Sequence, residues 1–217
     1  MKTIHQDPTK KLIAALSKDS RTQKKKTSLF TFLLSIFIIC LFMIVAMALN
    51  ILPNHFRADI RDKLHDTRFL LQLSLLFLMG SLSAIAAYTA SIPGREIKYP
   101  VRILYFSIVL SLILFTIPLF SLETLSLHLG FPCLKDVFLF GLAPALIVFL
   151  ITRSLAPLNR VRIAILCSLT AFAYGSIGSQ LTCSNENALH ILVWHFAPIM
   201  IFSLIGGLLG SRLFKKL

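Results

Sequence analysis

Six runs of apolar residues, each close to the length of a membrane-crossing helix, divide this 217-residue chain almost from end to end. They are Ser28–Leu52, Phe69–Ile92, Val101–Phe120, Val137–Thr152, Ile163–Leu181 and Leu189–Leu209, and none has an Asp, Glu, Lys or Arg at its centre. A helix rises about 1.5 Å per residue, so about 20 residues cross the hydrocarbon core. The fourth run is the shortest and is expected to begin earlier, near Cys133. A water-soluble fold with 56% hydrophobic and 14% charged residues would expose large apolar patches. Soluble domains carry about a quarter of their residues charged. The expected fold is therefore all-α: a polytopic integral membrane protein with six transmembrane helices in one bundle. Eighteen Phe against a single Trp suit lipid-facing helices better than an aromatic binding surface. Pro118, Pro144 and Pro198 fall within runs three, four and six, where kinks are expected.

A net charge of +13 would ordinarily point to nucleic acid, but the basic residues lie almost entirely between the apolar runs. That distribution sets membrane orientation and argues against direct nucleic-acid binding. Of the 22 Lys and Arg residues, 17 fall on one side if the runs alternate across the bilayer. They are Lys2, Lys10, Lys11, Lys18, Arg21 and Lys24–Lys26 at the N-terminus, Arg95, Lys98 and Arg102, then Arg153, Arg160 and Arg162, and finally Arg212, Lys215 and Lys216. The other side holds Arg57, Arg61, Lys63, Arg68 and Lys135. The positive-inside rule then places both termini in the cytoplasm. Residues 1–27 form a basic cytoplasmic arm and residues 28–217 the transmembrane domain. The first apolar run is too long for a signal-peptide core and lacks a small-residue cleavage site, so no cleavable signal is expected. The first outward loop, Pro53–Thr67, repeats Phe56, Ile60 and Leu64 at a spacing of four, which predicts a short helix on the outer surface.

No catalytic constellation stands out, and the chain is not expected to be an enzyme or to need a cofactor. Intramembrane enzymes and transporters place ionisable or nucleophilic groups in a cavity. Here Ser83, Ser107, Ser168 and Thr170 read as helix-packing hydroxyls. Gly175–Ser176, Gly178–Ser179, Gly206, Gly207 and Gly210 likewise signal close helix contact, the Gly206-to-Gly210 spacing being a GxxxG.

The four cysteines divide by depth. Cys40 and Cys167 fall within spans and read as small apolar packing residues. Cys133 and Cys183 both fall at the outer edge of the membrane, facing an oxidising compartment. They can form a structural disulfide, serve as a reversible redox or thiophilic-metal sensor, or stand as unrelated thiols. His128 and His190 lie within a few residues of them on the same side, and two Cys with two His can make a tetrahedral soft-metal site, although the spacing matches no standard motif. His195, beside Trp194, reads as an interfacial pair bonding neighbouring backbone. On the inner side, Asp7–Pro8 can open a short helix carrying Leu12, Ile13 and Leu16 with Lys10, Lys11 and Lys18 around them. Such an arm either binds anionic lipid or docks a cytoplasmic protein.

Several segments in fixed order carry a family resemblance. They are Asp66–Leu71, Cys133–Lys135 running to Gly141–Pro144, Arg153–Pro157, Leu181–Cys183 with His190, Trp194–His195, and Gly206–Gly210 before the terminal basic residues. Together with six spans of this length, the chain resembles the NrsF family of bacterial membrane proteins, negative regulators of sigma factor F. The resemblance implies a multi-pass protein of the bacterial inner membrane that acts as an anti-sigma factor. Its partners would be the bilayer and an extracytoplasmic-function-type sigma factor, held on the cytoplasmic side and released on oxidative or heavy-metal stress. The family's paired outer cysteines would map onto Cys133 and Cys183 as the signal-sensing residues. The rival readings are a small transporter or permease subunit, and a membrane scaffold protein.

Overall fold

The computed structural model describes residues 28–48, 56–92, 98–116, 130–155 and 159–213. Among them the regular structure is helical, with no strand. The elements are α1 (Leu29–Ala48), the single turn α2 (Ile60–Lys63), α3 (Thr67–Ala90), α4 (Lys98–Thr116), α5 (Phe131–Ser154) and α6 (Arg160–Thr182). A short α7 (Ala188–Ile191) then runs through a π-helical turn (Leu192–Phe196) into α8 (Ala197–Leu213). Local sequence signals mark where the helices begin. Asp66 caps α3 by accepting from the Arg68 N–H, Asn159 caps α6 through the Arg162 N–H, and Asn187 caps α7 through the Leu189 N–H. Pro132 opens α5, where its missing N–H costs nothing.

Among the described residues, five helices are long and apolar enough to cross a membrane: α3, α4, α5, α6 and the composite Ala188–Gly210. The first expected span corresponds to α1, 20 residues without a charged side chain. The fourth begins at Phe131, six residues ahead of the apolar run, in keeping with the expected earlier start near Cys133. The surface helix expected in the first loop is a single turn. Phe56 and Ile60 pack inward against Phe69, Phe140 and Leu181, which leaves Leu64 exposed.

The bundle is organised around α6. It packs against α5, α8 and α3, and two-thirds of its apolar stretch is buried inside the protein. Its sequence carries no apolar stripe because nearly every face meets another helix. Small residues make those contacts possible. A Cβ on Gly175 would strike the carbonyl oxygen of Val137, and one on Gly141 would come within 2.6 Å of the Ala171 carbonyl oxygen. The α5 and α6 backbones therefore touch, which is how helices associate where lipid offers no hydrophobic driving force. The GxxxG glycines face α6 as well, Gly206 against Ser168 and Gly210 against Ala164. Hydroxyls complete the fit: Ser83 bonds Thr170 at 2.9 Å and Ser81 bonds the Tyr174 hydroxyl at 2.9 Å, joining α3 to α6.

This contact has a direct test. Gly175→Val forces α5 and α6 apart and is expected to destabilise the detergent-solubilised protein by about 3 kcal/mol. Leu150→Val, on an exposed face of α5, should cost under about 0.5 kcal/mol. Thermal or denaturant unfolding of the two variants measures the difference.

Candidate functional site

The residues with the most chemistry converge at the end of the bundle where α5 begins, α6 ends and α7 begins. Cys133 lies in the first turn of α5 and Cys183 immediately follows α6. Because α5 and α6 run antiparallel with their backbones in contact, these two positions meet. The sulfurs lie 3.2 Å apart, with both cysteines as free thiols. The His190 Nε2 stands 3.4 Å from the Cys133 Sγ and 3.5 Å from the Cys183 Sγ.

His195 is the fourth member. From sequence alone it pairs with Trp194 and bonds nearby backbone. Instead Trp194 packs at a tilt against Phe131 with ring centroids 5.2 Å apart, while the His195 ring turns inward to within 5.6 Å of the His190 ring. Its side chain is buried and neither ring nitrogen has a hydrogen-bond partner. The cause is the π-turn, which adds a residue between the two histidines and so rotates His195 onto their common face. One donor atom from each of Cys133, Cys183, His190 and His195 can be chosen so that all four lie within 4.8 Å of one another. A set of two thiols and two imidazoles suits soft or borderline cations such as zinc.

A polar frame holds the segment that carries Cys183. The Arg57 N–H donates to the Leu181 carbonyl at 3.0 Å. The Arg57 guanidinium bonds Asp59 through Nε at 2.6 Å and Glu186 through Nη2 at 2.6 Å, and Lys63 reaches Glu186 at 2.6 Å. The guanidinium is buried and holds the Asp59 carboxyl below the usual carboxylate range. Thr182 donates to Asp136 at 2.9 Å and Ser179 to the Cys133 carbonyl at 3.1 Å, tying α6 to α5 beside the thiols. A cavity of about 70 Å³ reaches Cys183 and His195 past Arg57, Arg68, Gln72 and Gln180. The buried Gln180 side chain has no hydrogen-bond partner at either amide atom.

The thiols are electrostatically unequal. The Cys133 S–H donates to Cys183, and this bond, with the His195 ring beside it, pushes the Cys183 thiol well below its ordinary value.

Of the residues singled out from the sequence, Cys133, Cys183 and His190 come together here. His128 and the arm residues Lys10, Lys11, Leu12, Ile13 and Leu16 lie outside the described residues. His195 and the Arg57–Glu186 pair were not anticipated. A signal for His195 was present in the histidine five residues after His190 and in Pro198 just beyond, a residue that disturbs helical bonding.

Two predictions follow from this geometry. Alkylation of Cys183 by iodoacetamide in the reduced protein should change less steeply between pH 6 and 8 than that of an ordinary thiol, because the Cys133 S–H bond holds its thiol below the ordinary value. An ordinary thiol would speed up about tenfold per pH unit there; mass spectrometry of the labelled peptide reads the profile. Arg57→Ala should raise amide hydrogen exchange across residues 183–187 by roughly tenfold, since it removes charge-assisted bonds that position the segment.

No curated protein and no solved structure matches the chain. The model of one family, NrsF, described as negative regulator of sigma F, matches residues 16–215. That match takes in the cysteines, both histidines and every described helix, and the chain belongs to the NrsF family.

Proposed function

We propose that this protein is an inner-membrane anti-sigma factor that holds an extracytoplasmic-function-type sigma factor on the cytoplasmic side and releases it when the outer cysteine pair reacts. Family membership carries negative regulation of a sigma factor, and hence a sigma-factor partner. The rest of the reading is supported by the placement of charge and thiols. Six spans, α1 included, with both ends inside, account for the basic residues Lys98, Arg102, Arg153, Arg160, Arg162 and Arg212 at the end of the bundle opposite Cys133 and Cys183.

The observation that carries the sensing step is the 3.2 Å separation of two free thiols at one end of the bundle. Oxidation or metal binding there changes the bonding of residues at the start of α5 and the end of α6. These helices touch through glycine, so a change at one end is passed along a rigid contact to the other. The signal moves the sigma equilibrium only by its different affinity for the two packings. The protein acts by binding and repacking, without catalysis. The basic arm, residues 1–27, is the docking element, with Leu12, Ile13 and Leu16 as its apolar anchor and Lys10 and Lys11 beside them.

Capture of candidate sigma factors by the solubilised full-length protein tests the reading. Binding is expected for the full chain and loss for the form lacking residues 1–27. No capture by the full-length chain would sink the anti-sigma role. The Cys133→Ser/Cys183→Ser variant should still bind sigma yet fail to release it under oxidant or cadmium. Normal release by that variant would remove the sensor mechanism.

A further inference from the structure

We propose that Cys133, Cys183, His190 and His195 form a closed four-ligand site for a thiophilic divalent cation of the zinc class, assembled by the π-turn Leu192–Phe196. The site stands on its own geometry; its regulatory consequence rests on the sensing reading above.

The π-turn is the first observation. His190 and His195 are five residues apart, and in a regular α-helix such positions diverge by about 140° around the axis. They would face different surroundings. Across Leu192–Phe196 the backbone bonds over five residues, the Ala197 N–H donating to the Leu192 carbonyl. The wider turn brings the second imidazole back beneath the first. Pro198 contributes by having no N–H to offer the Trp194 carbonyl. On α6, Ser176 donates to the His195 carbonyl at 2.6 Å and fixes the turn against its neighbour.

The second observation is independent of the first. His195 is 2% exposed, yet neither ring nitrogen has a hydrogen-bond partner, and the Nδ1 of His190, 3% exposed, has none either. Burying an unbonded polar atom costs about 1–3 kcal/mol. A coordinated cation supplies a bonded partner for one of the two His195 nitrogens.

Distances and charge agree with this assignment. Bonds of about 2.3 Å to sulfur and 2.0–2.1 Å to nitrogen in a tetrahedron separate neighbouring ligand atoms by about 3.3–3.8 Å. The three separations within Cys133, Cys183 and His190 are 3.2, 3.4 and 3.5 Å. With donor atoms no more than 4.8 Å apart across the set, His195 needs to close by at most about 1 Å to complete the figure. A dication with two thiolates and two neutral imidazoles carries no net charge, which suits a buried position at the edge of a bilayer. Binding releases the remaining thiol protons, and four protein ligands leave no open position for a substrate. Soft thiolate and imidazole donors select against magnesium and calcium. A disulfide between Cys133 and Cys183 would remove two of the four ligands, so cation binding and oxidation exclude each other at this site.

The test uses the reduced full-length protein in detergent, titrated with cobalt(II) and then challenged with cadmium(II). One cobalt per chain is expected, with the intense visible bands of tetrahedral sulfur–nitrogen coordination, displaced by cadmium. His195→Ala and His190→Ala should each weaken binding by more than about 100-fold, beyond what loss of an outer-shell partner costs. Capture of sigma by each variant checks that it is folded. For a variant that fails that check, cadmium protection of Cys133 and Cys183 from alkylation in the wild-type chain replaces it as the readout. Absence of cobalt binding by the wild type, unchanged affinity in the folded histidine variants, or no cadmium protection would each overturn the site. Cobalt bound with these properties but no release of sigma by cadmium would uphold the site and sink its regulatory use. Release by oxidant from a protein that binds no cation would do the reverse.

Discussion

The contact of α5 with α6 at Gly141 and Gly175 governs the arrangement of everything else. Two helix backbones can approach this closely only where neither carries a Cβ, because a carbonyl oxygen of the facing helix occupies the space that atom would take. The approach sets the register between the two helices, and the register sets which residues meet at their ends. Cys133 in the first turn of α5 and Cys183 just past α6 fall opposite one another as a consequence. Hydroxyls that bond across the same interface, Ser179 to the Cys133 carbonyl and Thr182 to Asp136, hold the register close to the thiols.

The rest of the bundle serves that central helix. With α3, α5 and α8 covering α6, its glycines and most of its hydroxyls are buried, and the exposed surface is left to large apolar side chains on the outer helices. An interior built this way transmits a change in packing well and a change in charge poorly, since it holds no ionisable pair along its length among the described residues. The ionic contacts gather instead around Arg57, Lys63 and Glu186, where the loop after α1 clamps the Cys183 segment. This division of labour fits a regulator of a sigma factor: rigid contact through the bundle and reactive groups concentrated at one end.

Much of the fold was legible in the residue order. Run length marked the helices, whereas the caps Asp66, Asn159 and Asn187, each standing before the helix it opens, emerged only from the structure. The wide reach of α5 back to Phe131 was harder to read, since Lys135 and Asp136 interrupt the apolar run while the helix continues through them. The inward turn of Phe56 and Ile60 was missed for a related reason. A spacing of four describes a helix face equally well whether it rests on a surface or on a neighbouring side chain, and here Phe69, Phe140 and Leu181 supplied the neighbours.

By itself the sequence determined the helical class, the extent of the apolar segments, the uneven distribution of basic residues and the placement of Cys133 and Cys183 near helix ends. These follow from solvent preference and run length, which are properties of the chain read in one dimension. Only the tertiary structure decided that His195 joins the thiols and His190, and that Arg57 reaches Glu186 across 129 residues of sequence. Both depend on angle and distance between elements. One residue added by a π-turn rotates every side chain beyond it, and no count of apolar residues registers that rotation.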